Sequence, residues 1–173
     1  MIRKMQPQAT SAPDQSLQTL LLPLDGFHLI VPQSTIVEIT PFPKLTRNAE
    51  ASAWLLGLFE WRAEQVPLIS FEGLSGTATA VAKNGPCVAV LYTLKDRAGF
   101  EYYAIALAAI PRPAQLNSSS LPGAVETGGA NETIAADVSI GGNRTVIPDL
   151  ERIEQLIQAE LRRFGNDAAE RAE

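Results

Sequence analysis

The stretch "WLLGLFEWRAEQVPLISFE", Trp54 to Glu72, decides how the chain is read. An apolar run reaches Trp61, the polar turn "RAEQ" interrupts it, and a second apolar run ends at Phe71. Two extended runs around a short polar break predict a hairpin with strands over Leu55 to Trp61 and Gln65 to Phe71. Strand alternation sets Gly57, Phe59 and Trp61 on one face and Leu58, Glu60 and Arg62 on the other. Arginine is rarely buried unpaired, so Trp61 is the expected core residue. Trp54 follows a short helical lead-in and is read either as core or as an exposed anchor. Arg62 admits three readings: a catalytic group, a solvated turn charge, or the centre of a surface that another protein grips.

Similar punctuation continues on both sides. "LQTLLLPLDGFHLIVP", from Leu17, reads as two strands around Asp25-Gly26, with Leu20, Leu22 and Leu24 on one face and Phe27, Leu29 and Val31 on one face of the return strand. "STIVEIT" follows as a strand or short helical turn. Residues 72–86, rich in small turn-forming types, read as a loop or hinge between halves. A second β-rich half contains "CVAVLYTL", "FEYYAIALAAI", a long loop from Pro111, "ETIAADVSI", the turn Gly141-Gly142-Asn143 and "RTVI". One helix is expected from Pro148 to Phe164, with Leu150, Ile153, Leu156, Ile157, Leu161 and Phe164 as its apolar stripe and Gly165 as its stop. Short strands at this spacing predict antiparallel sheet or barrel rather than βαβ units. Residues 1–16 read as a flexible arm and 165–173 as a disordered tail.

Composition narrows function. The chain has 173 residues, 46% of them hydrophobic and 19% charged, enough for one sizeable core. A net charge of -5 gives little support to phosphate-backbone binding. No apolar run approaches the roughly 20 residues that span a bilayer, so no membrane insertion is expected. A single cysteine, Cys87, forms no internal disulfide and fits a reducing compartment.

Chemistry is sparse. The only histidine, His28, alternates with Phe27 and Leu29 in a strand, and Cys87 reads as strand filler. Together they cannot supply the four N or S ligands of a zinc site. No phosphate-cradling glycine motif occurs, and Gly128-Gly129 and Gly141-Gly142 read as turns. No catalytic residue, cofactor or metal is expected. A small ligand-binding or nucleic-acid-binding barrel stays open as the alternative.

"LLGLFEWRAEQVPLISF" resembles the segment GxxNLRGxxVPxxDL of the CheW-like adaptor domain of bacterial chemosensory arrays, with Gly57, Arg62, Val66 and Pro67 in matching places. "IVPQSTIVEIT" is similar to the family's acidic segment, with Glu38 at the acidic position. "YYAIALAAIPRPAQL" and "GGNRTVIPDLERIEQLI" occupy the places of its later segments, so the likeness runs from about Leu17 to about Phe164. Departures are Glu60 and Ala63 for the motif's Asn and Gly, Trp61 for its Leu, and Ser70-Phe71 for its Asp-Leu. These look like the adaptors of pilus-linked, ChpC-like twitching systems.

The resemblance implies a mainly β fold of two SH3-like five-stranded β-barrels with a C-terminal α-helix. It implies a first barrel over about 17–73 closed by helix 148–164, and a second over about 86–147. It also implies a cytoplasmic, non-enzymatic scaffold that joins methyl-accepting chemoreceptors to the regulatory domain of a CheA-like histidine kinase. In the family pattern Glu38 and Arg62 pair, and the expected receptor contact is a groove around Ile36, Glu38, Leu58 and Arg62, with the pair half-buried.

Overall fold

The computed structural model describes residues 16–77, 85–97, 100–116, 126–127 and 131–170. Eleven strands are present among the described residues. β1 (Leu17–Pro23) and β2 (His28–Pro32) form the first hairpin, β3 is Ile36–Pro41, and β4 (Leu55–Trp61) and β5 (Glu64–Ile69) form the second. β6 (Cys87–Arg97), β7 (Phe100–Leu107) and β8 (Arg112–Leu116) follow, then β9 (Glu126–Thr127), β10 (Ile134–Ile140) and β11 (Asn143–Pro148). A four-residue helix α1 (Phe71–Leu74) follows β5, and α2 (Leu150–Glu170) closes the chain.

The strands make two sheets, ordered β8-β1-β2-β11-β10-β9 and β3-β6-β7-β5-β4. Neither corresponds to a contiguous half of the sequence, which corrects the expected first barrel over 17–73 and second over 86–147. Local punctuation causes the exchange. Pro32 lacks an N–H and ends the ladder of β2. A 3-10 turn over Gln33–Thr35, in which the Thr35 hydroxyl donates to the Pro32 carbonyl at 2.7 Å, then carries the chain into the other sheet. After β7 the chain returns beside β1, where Ala108 N–H donates to the Pro23 carbonyl at 2.9 Å. The hydrogen-bond ladders are open, six strands and five, rather than closed five-stranded barrels.

Two cores result. Leu22, Leu29, Val31 and Val146 from the first sheet meet Ile69, Ala89, Leu91, Ile105 and Leu107 from the second, with Ile153 and Ile157 of α2 covering them. The alternation read in the first hairpin holds: Leu22, Leu24, Phe27, Leu29 and Val31 all enter this core. Leu56, Phe59, Trp61, Val66, Leu68, Val88, Val90, Ala104 and Ala106 fill a second core on the other face of the five-stranded sheet.

Ends of elements have identifiable causes. Asp149 rather than Pro148 caps α2, its carboxylate accepting from Arg152 N–H at 2.9 Å, while Pro148 ends β11. The helix continues to Glu170 instead of stopping at Gly165, which corrects the expected tail over 165–170. One internal glycine costs only about 1 kcal/mol relative to alanine, and Ala168, Ala169 and Glu170 favour continuation. Residues 171–173, and residues 1–15 of the arm expected over 1–16, lie outside the described residues. Within the expected loop at 72–86, α1 is capped by Ser70, whose hydroxyl accepts from Gly73 N–H at 3.2 Å. Residues 78–84 of that loop are likewise outside the description.

Candidate contact surface

The β4-β5 hairpin turns in two residues, Arg62 and Ala63, with φ of 50° and 65°. Positive φ at both central positions is the type I′ geometry that suits the strand twist. Neither residue is glycine, so each is held in a conformation that costs an L-residue roughly 1–2 kcal/mol. The turn begins where the expected "RAEQ" begins but ends two residues sooner, at Ala63, and β5 starts at Glu64. Strand alternation therefore stops at Trp61.

Because Arg62 leaves the strand, it does not project away from Trp61. Its guanidinium carbon sits 4.2 Å from the Trp61 ring centroid, a cation–π distance. The same guanidinium donates to a Glu38 carboxylate oxygen at 2.8 Å. Trp61 itself points inward, 9% exposed, as alternation predicts.

Glu38 and Arg62 come from opposite edges of one sheet, since β3 and β4 are its first and last strands. Five flat strands would hold those edges about 19 Å apart. A 2.8 Å contact therefore requires the sheet to curl until its edges face each other, and Phe42 and Leu45, from the segment linking β3 to β4, pack into the same core. The pair fastens the mouth of that curl from outside. Its side chains are 63% and 39% exposed, so the expected half-buried pair is open to solvent on the arginine side.

Gly57 holds the other side of the seam. Its φ is +148°, and a Cβ there would lie 2.6 Å from the Thr46 carbonyl oxygen. Thr46 and Leu58 exchange two backbone hydrogen bonds of 2.8 Å at this point, so only glycine lets the 42–54 segment lie against β4.

The expected groove does not assemble as one surface. A bulge at Val37 shifts the pairing of β3 from Ile36 with Leu91 to Glu38 with Val90. Ile36 packs on the inter-sheet core while Glu38 stays beside Arg62. Leu58 turns the other way and, with Ala51, Leu55, Gly57 and Leu161, lines an apolar cavity of about 200 Å³ flanked by Thr46, Arg47 and Asn48. The structure thus joins Glu38 and Arg62 and separates Ile36 and Leu58 from them.

Aromatic side chains extend the pair into a larger patch. Trp61 meets Tyr102 edge-on at 5.1 Å, and Tyr102 meets Tyr92 at 5.5 Å. Tyr92 and the nearby Leu94 are 46% and 51% exposed. The Tyr102 hydroxyl donates to Glu101 at 3.3 Å, and desolvation with the Glu101 charge pushes its phenol above the ordinary value. These residues escaped the sequence reading, although alternation in "CVAVLYTL" already sets Tyr92 on the face of Val88 and Val90.

Carboxylates of α2 hold backbone N–H groups at both ends of the sheet. Glu154, fully buried, accepts from Leu94 N–H at 2.7 Å, and Glu160 accepts from Ser52 N–H at 2.7 Å. Lys95 pairs with Glu151 at the surface.

Among the described residues no three His, Cys, Asp or Glu side chains converge as metal ligands, and no helix is long and apolar enough to cross a membrane. His28 pairs in register with Pro23 and Thr145 in the first sheet, and buried Cys87 donates its thiol to the Ala109 carbonyl at 3.6 Å. What is built at the surface is an exposed ion pair on an aromatic base. The CheW-like domain family matches residues 18–158, and the chain belongs to that family. Among solved structures it is similar to the scaffolding protein TtCheW from Thermoanaerobacter tengcongensis, with a TM-score of 0.64 at 10% identity over 84% of this chain and 91% of that one. No curated protein matches it in sequence.

Proposed function

We propose that the chain is a non-enzymatic chemosensory adaptor, coupling methyl-accepting chemoreceptors to the regulatory domain of a CheA-like histidine kinase in the cytoplasm. The observation that carries this reading is the Glu38–Arg62 pair. Two residues at positions of the family motif, remote in sequence, meet at 2.8 Å at the seam of a curled sheet and stay exposed. An exposed pair of this kind adds little to folding. Its value lies in fixing the register of a partner and rejecting wrong ones. We read the curled sheet as an SH3-like barrel opened at that seam. The Trp61-Arg62-Ala63 turn and "PLISFE" favour the pilus-linked branch that serves twitching motility through type IV pili.

Binding of the wild type and of Arg62→Ala to a receptor hairpin tip and to a kinase regulatory domain tests the reading, with folding followed by circular dichroism. Loss of receptor binding in a folded variant is expected. Unchanged binding to both partners would remove Arg62 from the contact and leave the adaptor reading without its surface.

A further inference from the structure

We propose that Tyr92, Leu94 and Tyr102 form a docking platform for a partner segment that carries apolar side chains flanked by lysine or arginine. The inference rests on the adaptor reading and adds the chemistry of one of its partners. Three observations support it. Tyr92 and Leu94 are about half exposed on β6, and the Tyr92 ring lies against Tyr102, which is braced in turn by the buried Trp61. Rigid aromatic area of this kind gives binding energy at low ordering cost.

The platform is also positioned from beneath. Glu154 holds the Leu94 backbone from α2, so the end of β6 is fixed by a buried carboxylate.

Charge selects the occupant. Glu64 pairs across the hairpin with Trp61, Glu101 accepts from Tyr102, and both are exposed. Arg62 is already engaged with Glu38 and stacked on Trp61, and Lys95 beside Leu94 is engaged with Glu151, so Glu64 and Glu101 leave an acidic excess at the aromatic edge. A cationic side chain from a partner can lie over a tyrosine face and reach a carboxylate at once, while an acidic segment is repelled.

The test titrates a receptor hairpin tip and a kinase regulatory domain separately against wild type, Leu94→Ser, Tyr92→Ser and Glu101→Gln. For one of the two partners, Leu94→Ser and Tyr92→Ser should each weaken binding at least tenfold. Glu101→Gln should weaken it severalfold at low salt and hardly at all at 0.5 M salt. Both serine variants change exposed positions, and circular dichroism verifies their folding. Unchanged affinity for both partners in the two serine variants would overturn the platform, and tighter binding by Glu101→Gln would overturn its charge preference. If the wild type binds neither partner, the adaptor reading fails first; if it binds both and the serine variants do too, only the platform fails.

Discussion

Replacing Tyr103 by phenylalanine should make the protein more stable. Tyr103 is fully buried in the inter-sheet core, edge-on to Phe100 at 6.5 Å, and its hydroxyl has no hydrogen-bond partner among the described residues. A buried polar group without a partner costs about 1–3 kcal/mol of lost hydration. Removing one oxygen forfeits a handful of dispersion contacts worth about 0.1–0.2 kcal/mol each. The net gain for Tyr103→Phe is then about 1 kcal/mol, or a rise in Tm of about 2–4 °C for a chain of this size.

The pH dependence gives a second readout. Desolvation, with the Glu154 charge behind it, raises the Tyr103 phenol in the folded state. Unfolded tyrosine ionises near pH 10. Above that pH the unfolded chain has lost a proton that the native chain keeps, so stability falls as pH rises. Integrated to pH 11, this one residue costs the wild type about 1.4 kcal/mol that the phenylalanine variant does not lose. Urea titrations at pH 7, 10 and 11 measure both effects. A variant less stable than wild type at pH 7, or a difference that does not widen by pH 11, would refute the orphaned hydroxyl.

Three further outcomes follow from the seam of the curled sheet. Ala63→Gly should stabilise by about 0.5–1 kcal/mol in urea unfolding, since relief of the positive φ outweighs the extra freedom glycine gives the unfolded chain; a loss of stability would contradict the turn geometry. Gly57→Ala should destabilise by about 2–4 kcal/mol and speed proteolysis within residues 42–54, because its Cβ would press on the Thr46 carbonyl oxygen. A double-mutant cycle of Glu38→Ala and Arg62→Ala should give a coupling below about 1 kcal/mol, as for other exposed pairs; a value above about 2 kcal/mol would mean that the pair is structural.

Strand existence was legible because period-2 alternation and turn residues act locally. Leu22, Leu29 and Phe59 went where alternation put them. Sheet membership was not, since it depends on how Pro32 and the 33–35 turn redirect the chain, and nothing in the hydrophobic pattern of β3 says which sheet it joins. The same limit applied to the site. The resemblance marks Glu38 and Arg62 as a pair, but Ile36 and Leu58, expected in the same groove, point elsewhere. A one-residue bulge at Val37 and the two-residue turn at Arg62 each shift side-chain direction, and neither announces itself in residue type.

Those two irregularities account for the contact surface better than the regular strands do. The Val37 bulge lets Glu38 face the seam while Ile36 and Ile39 remain in the core. The positive-φ turn bends Arg62 back over Trp61 instead of continuing the strand into solvent. Without the bulge, a β3 that kept Ile36 inside would place Glu38 inside too, an uncompensated charge in an apolar core. Without the turn, Arg62 would lie on the face opposite Trp61 and lose the ring it rests on. Strain at residues 62 and 63, roughly 1–2 kcal/mol each, is the cost of holding an arginine at the edge of an aromatic patch. That cost opposes folding and is offset elsewhere in the fold.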